Sequence, residues 1–370
     1  MKNIELKSEN IYKLLRGKIT SGEYPDGLKF VPEIALSKEL GVAKVTLRSA
    51  LEKLENDGLI LRIHGKGTFV RGRKGKASIL VITQGFNNFA NPSAHILDGI
   101  KERASSDGVE VLIAERQFIE SLSGAELAAF CCKENILGII PIMSFFLGRE
   151  RILEILKTSG LPVVLPHAHR HDYKTTGFAV TVVREDDGWR SAIEYLSSCG
   201  HSKIASIIHD DAPAIRGYSL DEHKKLLEQN GLDAEDSLTV LIPYEREHVK
   251  KTVFSFMKMK TPPTCILCYS DYFAIHVYDA LKDLSLRIPA DVAVMGTCGY
   301  PGAVFMNPSL STIDYQYKKL GSMAFDTLAA SGEWFGPDAI SAVPQVFIDP
   351  VLTIRASTKI KRIEKVIQYA

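Results

Sequence analysis

No apolar run in this 370-residue chain approaches the roughly 18 residues needed to cross a bilayer. The opening stretch from Met1 to Lys7 lacks the apolar segment of an export signal, so a cytoplasmic protein is expected. Cysteine is scarce, at six residues, which excludes a disulfide scaffold and fits reduced thiols. Cys265 and Cys268 spell C-x-x-C, but they lie in an apolar run that reads as a strand. Positions i and i+3 of a strand face opposite sides, so one metal or one disulfide cannot easily use both. There is no glycine-rich phosphate loop, no G-x-S-x-G elbow and no H-E-x-x-H pair. No catalytic residue and no cofactor are therefore expected. The composition, 45% hydrophobic and 24% charged, is that of an ordinary globular chain with ample core.

Net charge is nearly absent, at +1, because 45 basic residues balance 44 acidic ones, but the charges are unevenly placed. Residues 1–77 hold 16 lysines and arginines against 9 acidic residues, an excess of +7; the remainder carries −6. A basic head on a mildly acidic body fits a polyanionic partner, and charge alone fits a solvated surface equally. Periodicity then divides the head. Ser8 is a candidate cap for a first helix with Ile11, Leu14, Leu15 and Ile19 at helical spacing. Glu33 to Leu40 makes a second, and a third runs from the region of Lys44 to Asp57. In the third, Leu47, Ala50, Leu51 and Leu54 form one stripe, while Val45, Arg48 and Ser49 point away from it; Lys44 and Thr46 flank the first turn. Two short strands follow, joined by His64, Gly65, Lys66 and Gly67, with Thr68 opening the second. This order is a winged helix-turn-helix. Its third helix suits a DNA major groove, with Arg48 at a base or phosphate and a thin wing at the minor groove. A protein-interaction module with a solvated charged face is the competing reading.

The head resembles the gluconate-operon-repressor (GntR) family of bacterial regulators. The resemblance is carried by Ile19, Gly22, Tyr24, Gly27 and Phe30, then Leu36, Ser37, Leu40, Gly41 and Val42. Thr46, Leu47, Arg48, Ala50, Leu51, Leu54, Gly58, Leu59 and Ile60 continue it, and Gly65, Gly67, Thr68, Phe69 and Val70 form the wing. It implies DNA contacts by Lys44, Thr46 and Arg48 from the recognition helix and by His64 and Gly65 from the wing. The family pattern fails at two places. Ala43 stands where Ser or Thr is usual, and Ile34 stands where many members carry Arg. Val45 is placed to meet a thymine methyl instead.

After a basic connector, residues 71–77, short apolar strands alternate with helices, which argues two doubly wound α/β lobes. Ligands of such sheets bind beyond the carboxyl ends of the strands. The residues collected there are Phe86, Asn88 and Phe89, Met143, His167, Arg216, Tyr269 and Asp271, and Thr297 with Tyr300. The body resembles the effector-binding part of the lactose- and galactose-repressor family, itself similar to periplasmic sugar-binding proteins. Gly160 to Val164, Gly188 to Ala205, Pro263 to Asp271, Ile288 to Gly296, Pro308 to Ile313 and Arg355 to Thr358 carry this. A GntR-type head on such a body is similar to the arabinose-repressor subgroup.

The resemblance implies two lobes joined by three crossings: 78–183 plus 312–337, and 184–311 plus 338–358, with a tail at 359–370. Cys298 and Arg184 stand where others carry Asp, which leaves Asp271 as the acid matching a pocket position, with a helix cap as its alternative role. His167, His169 and His171 make an H-x-H pattern open to zinc or nickel, but no partner ligand is set by spacing and no metal is expected. The expected function is a repressor that binds a palindromic operator in double-stranded DNA as a homodimer and responds to a small carbohydrate-like effector. A pyridoxal-phosphate enzyme with a DNA-binding head is the alternative. No membrane partner is expected.

Overall fold

The computed structural model describes residues 2–20, 23–25, 28–63, 67–70, 77–84, 92–143, 146–169, 171–212, 219–336 and 339–359. Among the expected site residues, His64, Gly65, Lys66, Phe86, Asn88, Phe89 and Arg216 lie outside these, as do most of the connector and the tail beyond residue 359.

The head consists of α1 (Lys2–Thr20), α2 (Glu33–Glu39), α3 (Lys44–Asn56) and an antiparallel hairpin of β1 (Ile60–Ile63) and β2 (Gly67–Val70). Its helices meet on Leu15, Leu36, Leu47, Leu51 and Leu54, all buried, so the apolar stripe read in α3 is the face that packs. Gly41 and Gly58 take left-handed backbone at the ends of α2 and α3, where a side chain would be strained. Ser8 does not cap α1. The helix runs through it and buries it. The segment at Leu28–Phe30 lies along the wing: Val70 N donates to Leu28 O (2.8 Å) and Phe30 N to Thr68 O (2.8 Å).

The body continues with β3 (Ser78–Thr83), α4 (Ser93–Ser106), β4 (Glu110–Glu115), α5 (Arg116–Glu120), α6 (Gly124–Lys133), β5 (Ile136–Pro141), α7 (Arg151–Thr158), β6 (Val164–Leu165), α8 (Asp172–Thr176) and β7 (Ala179–Val183). Next come α9 (Glu185–Ser198), β8 (Ile204–His209), α10 (Leu220–Gln229), β9 (Thr239–Ile242), α11 (Arg246–Met257), β10 (Cys265–Cys268), α12 (Asp271–Asp283), β11 (Ala293–Cys298) and β12 (Ser311–Asp314). The chain ends, within the described residues, on α13 (Tyr317–Ala329), α14 (Ser331–Trp334), β13 (Gln345–Ile348) and β14 (Val351–Thr353).

The first lobe holds two parallel three-stranded groups, β4-β3-β5 and β13-β7-β6, tied by a parallel bridge between Ile139 and Val163. The second holds β14-β12-β11-β10-β8-β9, parallel except for β14. Both sheets are covered on two faces, which is why their strands read as continuous apolar runs. In β10, Cys265 and Leu267 enter one core while Ile266 and Cys268 enter another. The two thiols therefore point apart, as strand alternation requires.

Strand pairing places the lobe crossings. β7 belongs to the first sheet and α9 to the second lobe; β12 pairs with β11 in the second sheet; β13 returns to β7 in the first; β14 pairs with β12. The second and third crossings thus fall after Asp314 and between Ile348 and Val351. Both are later than the expected breaks at 311/312 and 337/338, because each crossing follows the end of a strand that sequence periodicity had not resolved.

Candidate functional site

On the head, α3 presents its first turns outward. Val45 is 68% exposed, Lys44 is exposed and Ser49 half-buried. Arg48, with its side chain 64% exposed, donates from Nε to Glu33 Oε2 at 2.8 Å. Ala43 caps α3 with no side-chain hydrogen bond, so the first-turn N–H groups stay available to solvent or to a phosphate. Thr46 differs from expectation: only 4% exposed, it faces the head's interior beside Leu47 and offers little surface to a phosphate. Of the wing, Gly67 has φ 116° and is packed against Lys29, whose Cε lies 3.0 Å from where a Cβ would stand. Thr68 is half-buried opposite Arg62.

In the body, the expected effector residues separate into different roles. Asp271 is 3% exposed, and both carboxylate oxygens are taken: Tyr300 N donates to Oδ2 (2.7 Å) and the Thr312 hydroxyl to Oδ1 (2.6 Å). Burial pushes its pKa up to about 7, against the lowering effect of those two donors. Gly296 lies so close that a Cβ there would stand 2.1 Å from Asp271 Oδ1. The carboxyl is thus a bolt between the loops after β10 and β11 and strand β12, with no oxygen facing a ligand. It is not the cap of α12 either, since Ser270 accepts from Tyr272 N (3.2 Å) in that place. Thr297 is fully buried, its hydroxyl donating to Tyr269 O, and Met143 packs in a core of the first lobe. Neither reaches an open surface.

Tyr300, also buried, belongs to an aromatic partition between the lobes. Its ring lies 5.8 Å from Tyr317, 5.4 Å from His95 and 4.9 Å from Tyr272. His167 meets Tyr317 edge-on at 5.0 Å and pairs through Nε2 with Glu185 Oε1 at 3.3 Å. Burial holds the Tyr300, Tyr315 and Tyr317 phenols well above their usual range and lifts Cys298 to about 12, so all four are neutral at physiological pH. Among the described residues, three of the five non-glycine residues with left-handed backbone, His167, Cys298 and Gln316, sit around this partition. Such conformations persist where surrounding packing over-determines them.

Two hollows flank the partition, each lined from both lobes. One, of about 560 Å³, has His95 and Lys318 on one wall and Tyr300 and Asp314 on the other. The second, of about 570 Å³, has His169 and Val183 from the first lobe facing Trp189, Arg190, His223 and Tyr269 from the second. Of the expected effector residues that are described, only Tyr269 lines the second hollow. Trp189 was missed, although it follows Gly188 directly and is one of two tryptophans. It stands 6.0 Å from the Tyr269 ring, with His223 edge-on at 5.5 Å. Arg184 and Phe347, beside two of the crossings, line this hollow, and Gln316 lines the first. Arg184 Nη1 pairs with Asp349 Oδ1 (2.5 Å), and Gln316 Nε2 donates to Asp349 O (2.7 Å), so the three crossings are tied together at one residue. Along the H-x-H pattern, His167 turns to Glu185, while the His169 and His171 rings lie 4.9 Å apart and His169 Nδ1 accepts from His171 N (3.3 Å).

The family pattern described as bacterial regulatory proteins, gntR family, matches residues 7–70, and a periplasmic binding protein-like domain matches residues 193–358. Over nearly its whole length the chain is similar to the arabinose metabolism transcriptional repressor of Halalkalibacterium halodurans, at 24% identity covering 98% of this chain and 99% of that one. The repressor of the same description from Geobacillus stearothermophilus is 23% identical over 97% and 98%. Among solved structures, a LacI-family regulatory protein from Chloroflexus aggregans superposes with a TM-score of 0.62 at 19% identity, covering 75% of this chain and 98% of that one. A LacI-family regulator from Enterococcus faecium, with bound ribose, gives 0.60 at 17% identity over 76% and 98%. None of these similarities supports the pyridoxal-phosphate alternative, and no helix among the described residues is long and apolar enough to cross a membrane. The chain joins a head that matches the gntR-family pattern of bacterial regulatory proteins to a body that matches a periplasmic binding protein-like domain, the build of a transcription regulator.

Proposed function

We propose that this chain is a cytoplasmic repressor that grips a palindromic operator as a homodimer and changes that grip when a small polar effector enters between its lobes. The body acts as a sensor and carries no catalysis. The observation that carries the reading is the second hollow: it is lined from both lobes, and one of its lining residues, Arg184, belongs to a hinge whose three crossings meet at Asp349. A ligand there prefers one lobe arrangement over another, which is what coupling to a DNA-binding head requires. Trp189 and Tyr269 offer apolar ring surface for the C–H face of a sugar, and His169, Arg184 and Arg190 offer donors to hydroxyls or an anionic substituent. The arabinose-metabolism repressors and the ribose-bound neighbour support a sugar or sugar derivative.

Trp189 reports on this site directly. Titrating pentoses, hexoses and their phosphates against tryptophan fluorescence should find a ligand that changes emission in the wild type but not in Trp189→Phe. The same ligand should shift operator affinity, and operator should shift ligand affinity by the same factor. A ligand that binds with no change in operator affinity would sink the sensor reading.

A further inference from the structure

We infer that the recognition face reads thymine methyl groups on both sides of an arginine-read guanine, with Val45 and Ile34 as the apolar readers. The inference rests on the head being a major-groove binder and adds which bases it prefers.

Val45 and Arg48 are three residues apart on α3 and share one outward face. Arg48 Nε is held by Glu33 at 2.8 Å, which brings the first turn of α2 alongside that face. Ile34 follows Glu33 and is 54% exposed. Around that contact the exposed surface therefore carries an isopropyl group, a guanidinium and a sec-butyl group, with the exposed Lys44 next to Val45 along α3. Neither apolar residue serves the fold there. A β-branched residue is a mediocre helix former, and an exposed one gains no burial. Their place beside the arginine of an α3 whose other face is the head's core gives them a partner when that face meets DNA.

The chemistry of the major groove names that partner. With Nε engaged, Arg48 keeps its two Nη groups free to bond guanine O6 and N7. Valine and isoleucine can neither donate nor accept, so the amide, carbonyl and ring-nitrogen edges of adenine, cytosine and guanine would lose hydration against them without replacement. The C5-methyl of thymine is the one apolar group the groove presents. The head's excess of +7 supplies the phosphate attraction that draws a duplex to this face.

The test uses the full chain and a duplex library of random sequence, from which the chain selects its own site. Selection should return half-sites with a guanine neighboured by thymine. In the selected duplex, each contacted thymine is replaced by deoxyuridine, which removes only the methyl. The wild type should lose about four-fold in affinity at each such position, the equivalent of about 0.8 kcal/mol per buried carbon. Val45→Ala should be indifferent to deoxyuridine at one of these positions and Ile34→Ala at the other, while both keep the preference for guanine. Because both side chains are exposed, neither variant is expected to lose stability, and circular dichroism checks this. Equal wild-type affinity for thymine and deoxyuridine duplexes overturns the inference while leaving DNA binding intact. If no duplex is selected, the DNA reading of the head falls and takes this one with it.

Discussion

Asp271 shows how far a residue's type is from its role. A carboxylate just past the end of a strand suits a polyol, and the pattern of the sequence places it at a pocket. The fold instead turns it inward and gives it two donors, the Tyr300 N–H and the Thr312 hydroxyl. Asp271→Ala strands both, and a buried donor left without an acceptor costs about 1–3 kcal/mol. Urea denaturation should therefore show a loss of a few kcal/mol, while the effector concentration for half-response in the folded variant stays near that of the wild type. A large shift in that concentration at unchanged stability would return Asp271 to the ligand site. On the head, by contrast, Val45 and Arg48 were legible from the helical wheel alone. A helix face opposite a leucine stripe is outward whatever else the chain does; within α3, Thr46, at the edge of the stripe, faces inward instead.

At the scale of elements, strands buried on both faces announce themselves, as Ser78–Thr83 and Cys265–Cys268 do. The elements that escaped are those whose stability comes from distant partners. Strands β12, β13 and β14 are three or four residues each and exist because of pairings with remote parts of the chain. Helix α13 escaped although it buries Tyr317, Leu320, Ala324, Phe325 and Leu328. It crosses α4 so closely that each helix places a glycine, Gly321 and Gly99, at the contact. A Cβ on Gly321 would stand 2.0 Å from Ile96 O, and one on Gly99 would stand 1.8 Å from Lys318 O. Both obstacles are backbone, which cannot swing aside as a side chain can. Gly321→Ala should thus force the helices apart and cost at least the roughly 1–3 kcal/mol typical of overpacking. Gly302→Ala, with nothing within 4 Å of its Cβ position, serves as the control and should leave the unfolding midpoint unchanged.

For the whole molecule, stability in acid is tied to the wall of the cleft. His223 is buried behind Trp189 with Nε2 3.0 Å from Ser206 Oγ, and burial pulls its pKa down from 6.5 to about 4. The unfolded chain takes up that proton first as pH falls, so this contribution is complete above pH 6.5 and drains away toward pH 4. Between pH 7 and pH 5 the loss from this one group is about 2 kcal/mol. Urea unfolding of His223→Gln should fall by that much less than the wild type over the same interval; parallel pH curves would remove His223 from the account. The sequence by itself determined the two-part build, the outward face of α3, the reduced thiols of β10 and the doubly wound class. Each of these follows from period, charge or spacing along a continuous stretch, which local physics dictates. The tertiary structure alone decided where the chain crosses between lobes, that Asp271 faces inward, and that tyrosines fill the centre of the cleft and leave Trp189 at a hollow beside it. Those outcomes depend on which distant residues meet, and no local period encodes that.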